Sequence, residues 1–473
     1  MYRCYNYTKR NYKAREGKTT DSTKSSRRLF GRKPIYTDVR EITSDNIVSV
    51  LEEAMKIHAS NRGDIKYLEN YRKGDQPIWG KTKDARPEIN NIVIENRADE
   101  IVSFKVGYQI GEPLQYVCLN TDGVVSDDFR LFNKYVRDSE KAAKDLTLFD
   151  SLFTSGIGYR MILPGKKSSF EDSPFVVYTL DAQDTFIVKY NGLGKPDILG
   201  VGYITRTDGT NIYGCYTDKM FFKVEGDKVT DARPHILGDI PIIGYTHGIS
   251  MLGAFEPVIT MLDAINNVGS NRIDAIEQFV QALMVFKNVK LKEGEHAKLN
   301  DAGAIEIEGD GDIKYLIQEL NQMQTQTLVD YMYQTVLTIC GMPNRNGGSS
   351  TSDTGTAVIM RDGWEAAEAR AKLLEPLFKE SERRFLRIAV KITNILRGTN
   401  LSASDIDSRF TRRNYENIAQ KAQVLDIMLK NGKIHPKLAF EHSGMFVDPE
   451  TAFAISEAYE QLHSQQTEVQ PNE

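Results

Sequence analysis

The chain has 473 residues, of which 40% are apolar and 26% charged, a balance that excludes wholesale disorder and allows roughly three domains of about 150 residues. Its net charge of -5 argues against a generally basic surface that binds nucleic acid tightly. It does not exclude a protein that acts on DNA without binding it tightly. No run approaches about 18 consecutive apolar residues, so no transmembrane helix is predicted. The four scattered cysteines predict neither a metal site nor a redox pair, but reduced thiols in a cytoplasmic product.

The chain begins with a strongly basic segment. Residues 1–33 contain eleven Lys or Arg against Glu16 and Asp21, with few apolar residues between them. This composition predicts a flexible basic arm over residues 1–39. The arm is either a solvated tail or a segment that contacts nucleic acid or an acidic partner.

Helical and strand periodicities then alternate. Apolar spacing predicts one helix from Thr43 to Ile57 and a second, short one from Asn61 to Tyr71, with others near 96–106 and 144–158. Between Gly158 and Gly248, short runs rich in Val, Ile, Tyr, Phe and Thr are separated by Gly, Asn, Asp and Pro. That pattern is typical of an antiparallel sheet.

The second half is mainly helical. Apolar residues spaced three or four positions apart predict helices over 254–283 and 323–339. These helices flank a compact insertion at 284–321 with both strand and helix patterns. A Gly/Ser/Asn loop follows, and a very long helix is predicted from the Ser352/Asp353 cap to about Leu396, kinked at Pro376. Two or three short helices are expected over 414–462, before a polar, disordered tail at 463–473.

No segment predicts catalytic chemistry. The stretch from Gly74 to Thr82 resembles a phosphate loop but has one residue too many between its glycines. Asp310-Gly311-Asp312 suggests a calcium loop, yet Tyr315 stands where that loop needs glycine. The histidines are isolated from one another, and no Gly-x-Ser-x-Gly motif marks a nucleophilic serine. We therefore expect a protein that is not an enzyme and has no metal or cofactor.

Several segments resemble portal proteins of long-tailed bacteriophages. They are Asn70 to Gly74, Asn90 to Asn96, Ile101 to Pro113, Tyr178 to Asp181, Phe186 to Tyr190, Gly238 to Pro241, Leu262 to Asn266 with Ser270, Asp353 to Ala357, Phe410 to Asn414 and Lys430 to Ile434. Ile265 replaces an aromatic residue and Thr354 a serine of the family's pattern. Each motif is weak alone, but their order and spacing over roughly 40–460 are specific.

The resemblance implies an α+β portal fold in a ring of about twelve subunits. It divides the chain into a mixed α/β wing (40–253), a two-helix stem (254–283 and 322–341) and a clip (284–321). A tunnel loop (342–353), a long wing helix (354–400) and an α-helical crown (401–462) complete the fold. The ring would occupy one capsid vertex of the virion after assembly in the bacterial cytoplasm.

The resemblance also implies partners and sites. Double-stranded DNA would pass through the channel, and the large terminase subunit, a head–tail adaptor, scaffold and major capsid protein would bind outside it, with no membrane involved. The implied tunnel-loop residues are Asn344, Arg345, Asn346, Gly347, Gly348, Ser349, Ser350 and Thr351. The implied clip residues are Lys287, Lys290, Lys292, Glu293 and Lys298, and the implied stem residues are Asp263, Asn266, Asp274 and Glu277.

The charge of the channel wall determines how easily DNA passes through it. A strongly basic lumen would hold DNA, because each neutralised phosphate releases counterions. The stem carboxylates, with Asp330, predict a neutral to acidic lumen, in which Arg345 or the clip lysines make transient phosphate contacts. Two alternatives stay open: another virion component, such as an adaptor or capsid protein, and a monomeric DNA-processing enzyme. A ring with a central hole in electron micrographs supports the portal alone.

Overall fold

The structure is a computed structural model. It describes residues 29–84, 86–119, 126–165, 173–280, 283–287, 312–316, 322–344, 363–412, 418–446 and 449–467. Within these ranges the helices are α1 (Ile47–Arg72), α2 (Arg97–Ile110), α3 (Asp127–Asp138), α4 (Lys141–Ser155), α5 (Ile259–Val280), α6 (Gln322–Cys340), α7 (Trp364–Arg397), α8 (Ile418–Leu429), α9 (Pro436–Ser443) and α10 (Pro449–Thr467). The strands are β1 (Ile35–Thr37), β2 (Gln115–Cys118), β3 (Ile157–Pro164), β4 (Phe175–Leu180), β5 (Thr185–Tyr190), β6 (Asp197–Thr205), β7 (Asn211–Tyr216), β8 (Met220–Glu225), β9 (Lys228–Pro234), β10 (Ile242–Thr246), β11 (Leu283–Lys287), β12 (Asp312–Leu316) and β13 (Ile406–Arg409).

The predicted antiparallel region forms two sheets. Six strands pair in the order β1-β5-β6-β7-β8-β9, where only the β1–β5 pair is parallel, and three pair in the order β10-β3-β4. Val188, Val201 and Val224 alternate with less buried residues along their strands and pack in one apolar cluster with Ile47 and Leu51 of α1. The sheet is therefore covered by a helix on one face.

Helix α1 corrects the prediction of two separate helices. It runs unbroken for 26 residues, through the stretch where a break was expected. Its first turns pack on the six-stranded sheet, Ile65 packs with β3 and β10, and Leu68 and Tyr71 join the largest cluster. One continuous helix forms because its apolar side finds partners along its whole length.

The core beside α7 contains a buried charge network. Lys141 and Asp145 of α4, Arg160 of β3 and Glu382 of α7 are each at most 3% exposed at the side chain. Arg160 donates to Glu382 at 2.8 Å and also pairs with Asp145, while Lys141 lies 2.8 Å from Asp145 and 3.0 Å from Glu382. Two cations thus balance two carboxylates inside the protein.

Two tyrosine hydroxyls complete this network. Tyr116 of β2 and Tyr245 of β10 both donate to Glu382, the second at 2.7 Å. Burial alone would raise the pKa of Glu382, but the positive charges of Lys141 and Arg160 and the two hydroxyls lower it below its usual range. The network joins α7 to α4, β2, β3 and β10.

The second half of the chain follows the predicted order. Helices α5 and α6 pack together and are joined through the antiparallel pair β11–β12; these four elements are called the hairpin below. Helix α7 begins at Trp364, later than predicted, because Gly363 has a φ of +81° and cannot continue a helix. It extends on both sides of Pro376.

The described parts of the two terminal segments, residues 29–39 and 463–467, depart from the predicted disorder. Residues 29–39, assigned to the flexible arm, are part of the fold: Arg32 is 4% exposed, donates to Glu256 at 2.7 Å and to the carbonyl of Ser155 at 3.2 Å. Strand β1 then pairs with β5. At the other end, residues 463–467 of the predicted tail continue α10.

Candidate functional site

The first helix of the hairpin presents a row of polar residues to the rest of the protein. Asp263, Asn266, Ser270 and Asp274 recur every three or four residues, so they share one side of α5, called its docked face below. Asn266, Ser270 and Asp274 are at most 1% exposed. They contact residues 91–95, which precede α2 and belong to no helix or strand.

The docked face binds the backbone of residues 91–95. Asn91 donates its N–H to Asp274 at 2.7 Å, Val93 donates to Ser270 at 3.0 Å and Glu95 donates to Asn266 at 2.9 Å. Four residues of helix rise about 6 Å, close to the roughly 6.6 Å covered by two residues of extended chain. A polar residue at every fourth helix position therefore meets every second N–H group.

Asp274 is the most heavily contacted of these residues. Its Oδ2 lies 2.6 Å from Lys81 Nζ and 2.5 Å from Lys83 Nζ, and its Oδ1 accepts from both nitrogens of Asn91. Burial alone would raise the pKa of Asp274, but these hydrogen bonds lower it well below the usual carboxylate range. The carboxylate stays ionised and fixes α5 to the preceding loop.

Asp263 and Asn266 are held from another direction. Tyr71, at the end of α1, donates its hydroxyl to Asp263 Oδ1 at 2.9 Å, and Asn266 donates its amide to Gln76. Burial raises the pKa of Asp263, and the hydrogen bond from Tyr71 only partly offsets this. Asp263 and Asp274 are thus used inside the chain and add little negative charge to its surface, so among the four carboxylates behind the predicted neutral to acidic lumen Glu277 and Asp330 are the exposed ones.

The other predicted site residues are placed as follows. Glu277, three residues beyond Asp274, is exposed, and Asn344, within the predicted loop 342–353, is half-buried and is the last residue of that loop that the structure describes. Lys287 is the final residue of β11, paired in register with Asp312. Lys290, Lys292, Glu293, Lys298 and all of Arg345, Asn346, Gly347, Gly348, Ser349, Ser350 and Thr351 lie outside the described residues.

The second helix of the hairpin has the opposite character. Over Gln322–Cys340 the only charged residue is Asp330, and the other polar residues are Gln, Thr, Tyr or Cys. One side, with Val336, Leu337 and Cys340, is buried, whereas Leu328 and Tyr331 are 50% and 66% exposed. Helix α6 therefore offers solvent a surface without cations.

A polar cleft of about 600 Å³ lies between α2, α5 and α6, where the predicted loop begins. Arg97 stacks on the ring of Tyr333 with 4.1 Å between guanidinium and ring centre, and Tyr333 donates to Glu100 at 2.8 Å. Arg272 donates to Gln326 at 2.6 Å across the hairpin. These contacts join α6 to α2 and to α5 beside the start of the loop.

Sequence reasoning missed the partners of the docked face. Lys81, Lys83 and Asn91 lie in a stretch that was interpreted only as a loop rich in Gly, Pro and Lys and as a failed phosphate loop. Yet Asn90 to Asn96 and Leu262 to Ser270 are two of the segments that carried the family resemblance. In the structure these two segments contact each other, and each supplies one half of a hydrogen-bonded junction.

Neither a metal site nor a membrane helix emerges from the described part of the chain. Its His, Cys, Asp and Glu side chains form no group of three or more able to hold a metal ion. None of its helices is both long and apolar enough to cross a bilayer.

Comparison with known proteins identifies the family. The family model described as phage portal protein, SPP1 Gp6-like, matches residues 51–472. The chain therefore belongs to this family of phage portal proteins, which confirms the family that the sequence motifs predict. Among curated proteins, none matches the sequence.

Among the solved structures that this chain matches are three from gene transfer agent particles. A chain from the neck of a native gene transfer agent (GTA) particle computed with C12 symmetry has 12% identity and a TM-score of 0.43, covering 74% of this chain and 89% of that one. A chain from the neck of an empty GTA particle computed with C6 symmetry has 11% identity and a TM-score of 0.44, covering 74% and 90%. A chain from the virion of a native GTA particle has 11% identity and a TM-score of 0.44, covering 81% and 94%.

Proposed function

We propose that about twelve copies of this chain form a ring at one capsid vertex, through which double-stranded DNA enters and leaves the head. The hairpin lines or supports the channel, β11 and β12 lie at its tip, and α8–α10 form the crown. Membership of the portal family supports this reading. The protein acts as a structural channel without ATPase or nuclease activity of its own.

The surface of α6 is the observation that carries the proposal. A channel that passes DNA in both directions must not bind phosphates tightly, because each neutralised phosphate adds affinity. The exposed side of α6 has amide, hydroxyl and apolar groups, and its one charge, Asp330, is negative. Such a surface repels a phosphate backbone or binds it only weakly.

We assign roles to the insertion, the loop and the outer surface from their positions in the proposed ring. The insertion 284–321, which includes β11 and β12, would project from the hairpin and bind the terminase and then the head–tail adaptor. The loop 342–353 would face the DNA from its fixed start at Asn344. Scaffold and major capsid protein would contact the outside of the ring during assembly in the bacterial cytoplasm.

Electron microscopy of the purified protein tests the ring directly. We expect negatively stained particles with a central hole and roughly twelvefold symmetry, and no ATP hydrolysis or DNA cleavage in the same preparation. A monodisperse monomer at micromolar concentration in sedimentation would contradict the proposal.

A deletion tests the assignment of the tip separately. Removing 284–321 and joining α5 to α6 by a short turn should leave ring formation intact and abolish DNA packaging in a defined packaging assay. Normal packaging by this variant would show that the terminase binds elsewhere.

A further inference from the structure

A second pocket, distinct from the docked face of α5, lies between α2, the 247–257 loop, the end of α6 and the first turns of α7. Its volume is about 320 Å³, near the lower limit of pockets that hold small ligands, about 300 Å³. Its walls are largely apolar: Phe104, Phe153, Leu252, Ala371 and Leu374 all line it. The pocket is too small for a helix but large enough for a few side chains.

Three polar side chains of this pocket carry N–H donors. Lys105 and Gln109 lie one turn apart on α2, so both face the same side, and Arg370 comes from α7 opposite them. Gln109 is only 2% exposed, and its Nε2 finds no acceptor among the described residues. A buried amide donor without an acceptor is costly, so an acceptor that reached this nitrogen would stabilise the site.

Among the described residues, the pocket also has no carboxylate to balance its cations, Arg370 and Lys105, and burial, with a contribution from nearby Arg370, lowers the pKa of Lys105. No Asp or Glu is among its lining residues, and within the described part of the chain neither Lys105 nor Arg370 forms an ion pair. His247 adds no charge at neutral pH, because burial, with a contribution from nearby Lys105, lowers its pKa to about 4. Its Nδ1 is already used by the carbonyl of Leu252, at 2.7 Å.

Exposed apolar side chains surround the opening. Ile249 is 91% exposed and Leu373 is 72% exposed, although both belong to the pocket lining. Isolated exposed apolar residues are ordinary, but two beside a cationic pocket form a surface that an acidic segment with apolar neighbours would cover.

We propose that this pocket receives an acidic side chain, flanked by apolar residues, from the adjacent copy of the chain in the ring. The inference rests on the proposed ring assembly. A head-to-tail ring needs two different complementary surfaces on every subunit, and this pocket supplies the cationic one. The acidic complement is abundant, since the chain is net negative even though its first 33 residues are strongly basic.

The occupied pocket would also support the start of the tunnel loop. Gly341 ends α6 with a φ of +65°, and a Cβ placed there would lie 2.7 Å from Arg370 Cγ. The aliphatic part of Arg370 therefore lies directly over the last turn before the loop. A carboxylate that fixes the guanidinium of Arg370 would fix this contact as well, so each subunit would stabilise the loop base of its neighbour.

Photo-crosslinking in assembled rings tests the occupant. Benzoylphenylalanine at position 373 should give crosslinks between copies, and mass spectrometry should place them in a peptide that contains Asp or Glu. The same probe at position 193, where Leu193 is fully exposed, is the matched control and should give far fewer. Rings in which position 373 crosslinks only within its own copy, or not at all, would overturn the proposal.

Charge reversal tests the electrostatic part. The double variant Lys105→Glu, Arg370→Glu should reduce the ring fraction at a fixed protein concentration at least tenfold, with an unchanged circular dichroism spectrum. Lys372→Glu, an exposed change on the same helix outside the pocket, should assemble like the parent. A parent that forms no rings would refute the ring assembly and this inference together. Rings formed equally well by the parent and the double variant would refute the pocket's role alone.

Discussion

Buried carboxylates are held in two different ways in the α/β core and on the hairpin. In the core, Glu382 and Asp145 are neutralised by Lys141 and Arg160, so the charges balance among side chains. On α5, Asp274 is shared between two lysines and the backbone and side-chain N–H groups of Asn91. The first arrangement joins helices to sheets, whereas the second joins a helix to a segment without regular structure.

The difference has a functional meaning. Residues of the core network come from five separate elements, so the network fixes α7 within the core on several sides. The docked face of α5 fixes the hairpin to residues 91–95, whereas α6 is held by buried apolar residues and by Tyr333 and keeps its other side exposed. If the hairpin lines the channel as proposed, this combination suits it, because the hairpin must be firmly attached and still present a surface without cations. Removing each kind of contact in turn tests the comparison through the free energy of unfolding.

The largest loss of stability is expected for Glu382→Gln. The variant leaves Lys141 and Arg160 facing Asp145 alone, and breaking a buried ion pair by removing one partner costs about 3–5 kcal/mol. Urea unfolding followed by circular dichroism measures the loss. Glu380→Gln, an exposed change two residues earlier on α7, is the control and should alter stability by less than about 0.5 kcal/mol. Equal midpoints for the two variants would contradict the network's role.

A smaller loss is expected for Asp274→Asn. The amide oxygen can still accept from the N–H of Asn91, but both lysine contacts lose their negative partner, which costs about 1–3 kcal/mol. Glu277→Gln on the exposed side of α5 is the matched control and should unfold like the parent. Hydrogen exchange at Asn91, Val93 and Glu95 should rise in Asp274→Asn alone. Unchanged exchange there would contradict the docking of this segment by α5.

The pH dependence sharpens the same comparison. Because the pKa of Asp274 is lowered in the folded protein, its ionised contacts contribute stability above the unfolded carboxylate value of about 3.9. This contribution is lost as pH falls through the lower folded value. The stability gap between the parent and Asp274→Asn should therefore be constant near neutral pH and narrow below about pH 4. A gap that widens with acid would contradict the pKa shift.

Local pattern was enough to predict much of this fold. Helices α8, α9 and α10 follow from apolar spacing and from breaks at Asn431-Gly432 and Ser443-Gly444, and the strands from β3 to β8 follow from residue type. Gly363 was overlooked because the apolar spacing continues across it. A single glycine in the left-handed conformation sets the start of the helix despite that spacing.

Long-range pairing could not be predicted in the same way. Arg32 belongs to a basic segment by composition, and its partner Glu256 is 224 residues further along the chain. The core network likewise joins residues from 116 to 382, and only its Lys141–Asp145 pair, four residues apart on α4, is local. On the docked face, Asp263, Asn266 and Asp274 were singled out through the family resemblance. Their role in binding residues 91–95 was not predicted, because residues 91–95 have no helical or strand periodicity.

The smallest effect on stability is expected on α6, where Asp330→Lys should change the free energy of unfolding by less than about 0.5 kcal/mol, since the side chain is exposed. Its effect on DNA should nevertheless be clear. If α6 faces the channel, a lysine on every copy adds a ring of cations, and each neutralised phosphate adds about 0.9 to the slope of log affinity against log salt. We therefore expect slower packaging, with most of the loss recovered at higher ionic strength.

The control for this variant is Glu380→Lys, which makes the same charge change at an exposed position of α7, outside the hairpin. It should package at the parental rate at every salt concentration, because a cation away from the channel meets no phosphate during translocation. If both variants slow packaging equally, the effect is one of net charge. If only Asp330→Lys does so, and salt relieves it, the uncharged surface of α6 is what lets DNA pass.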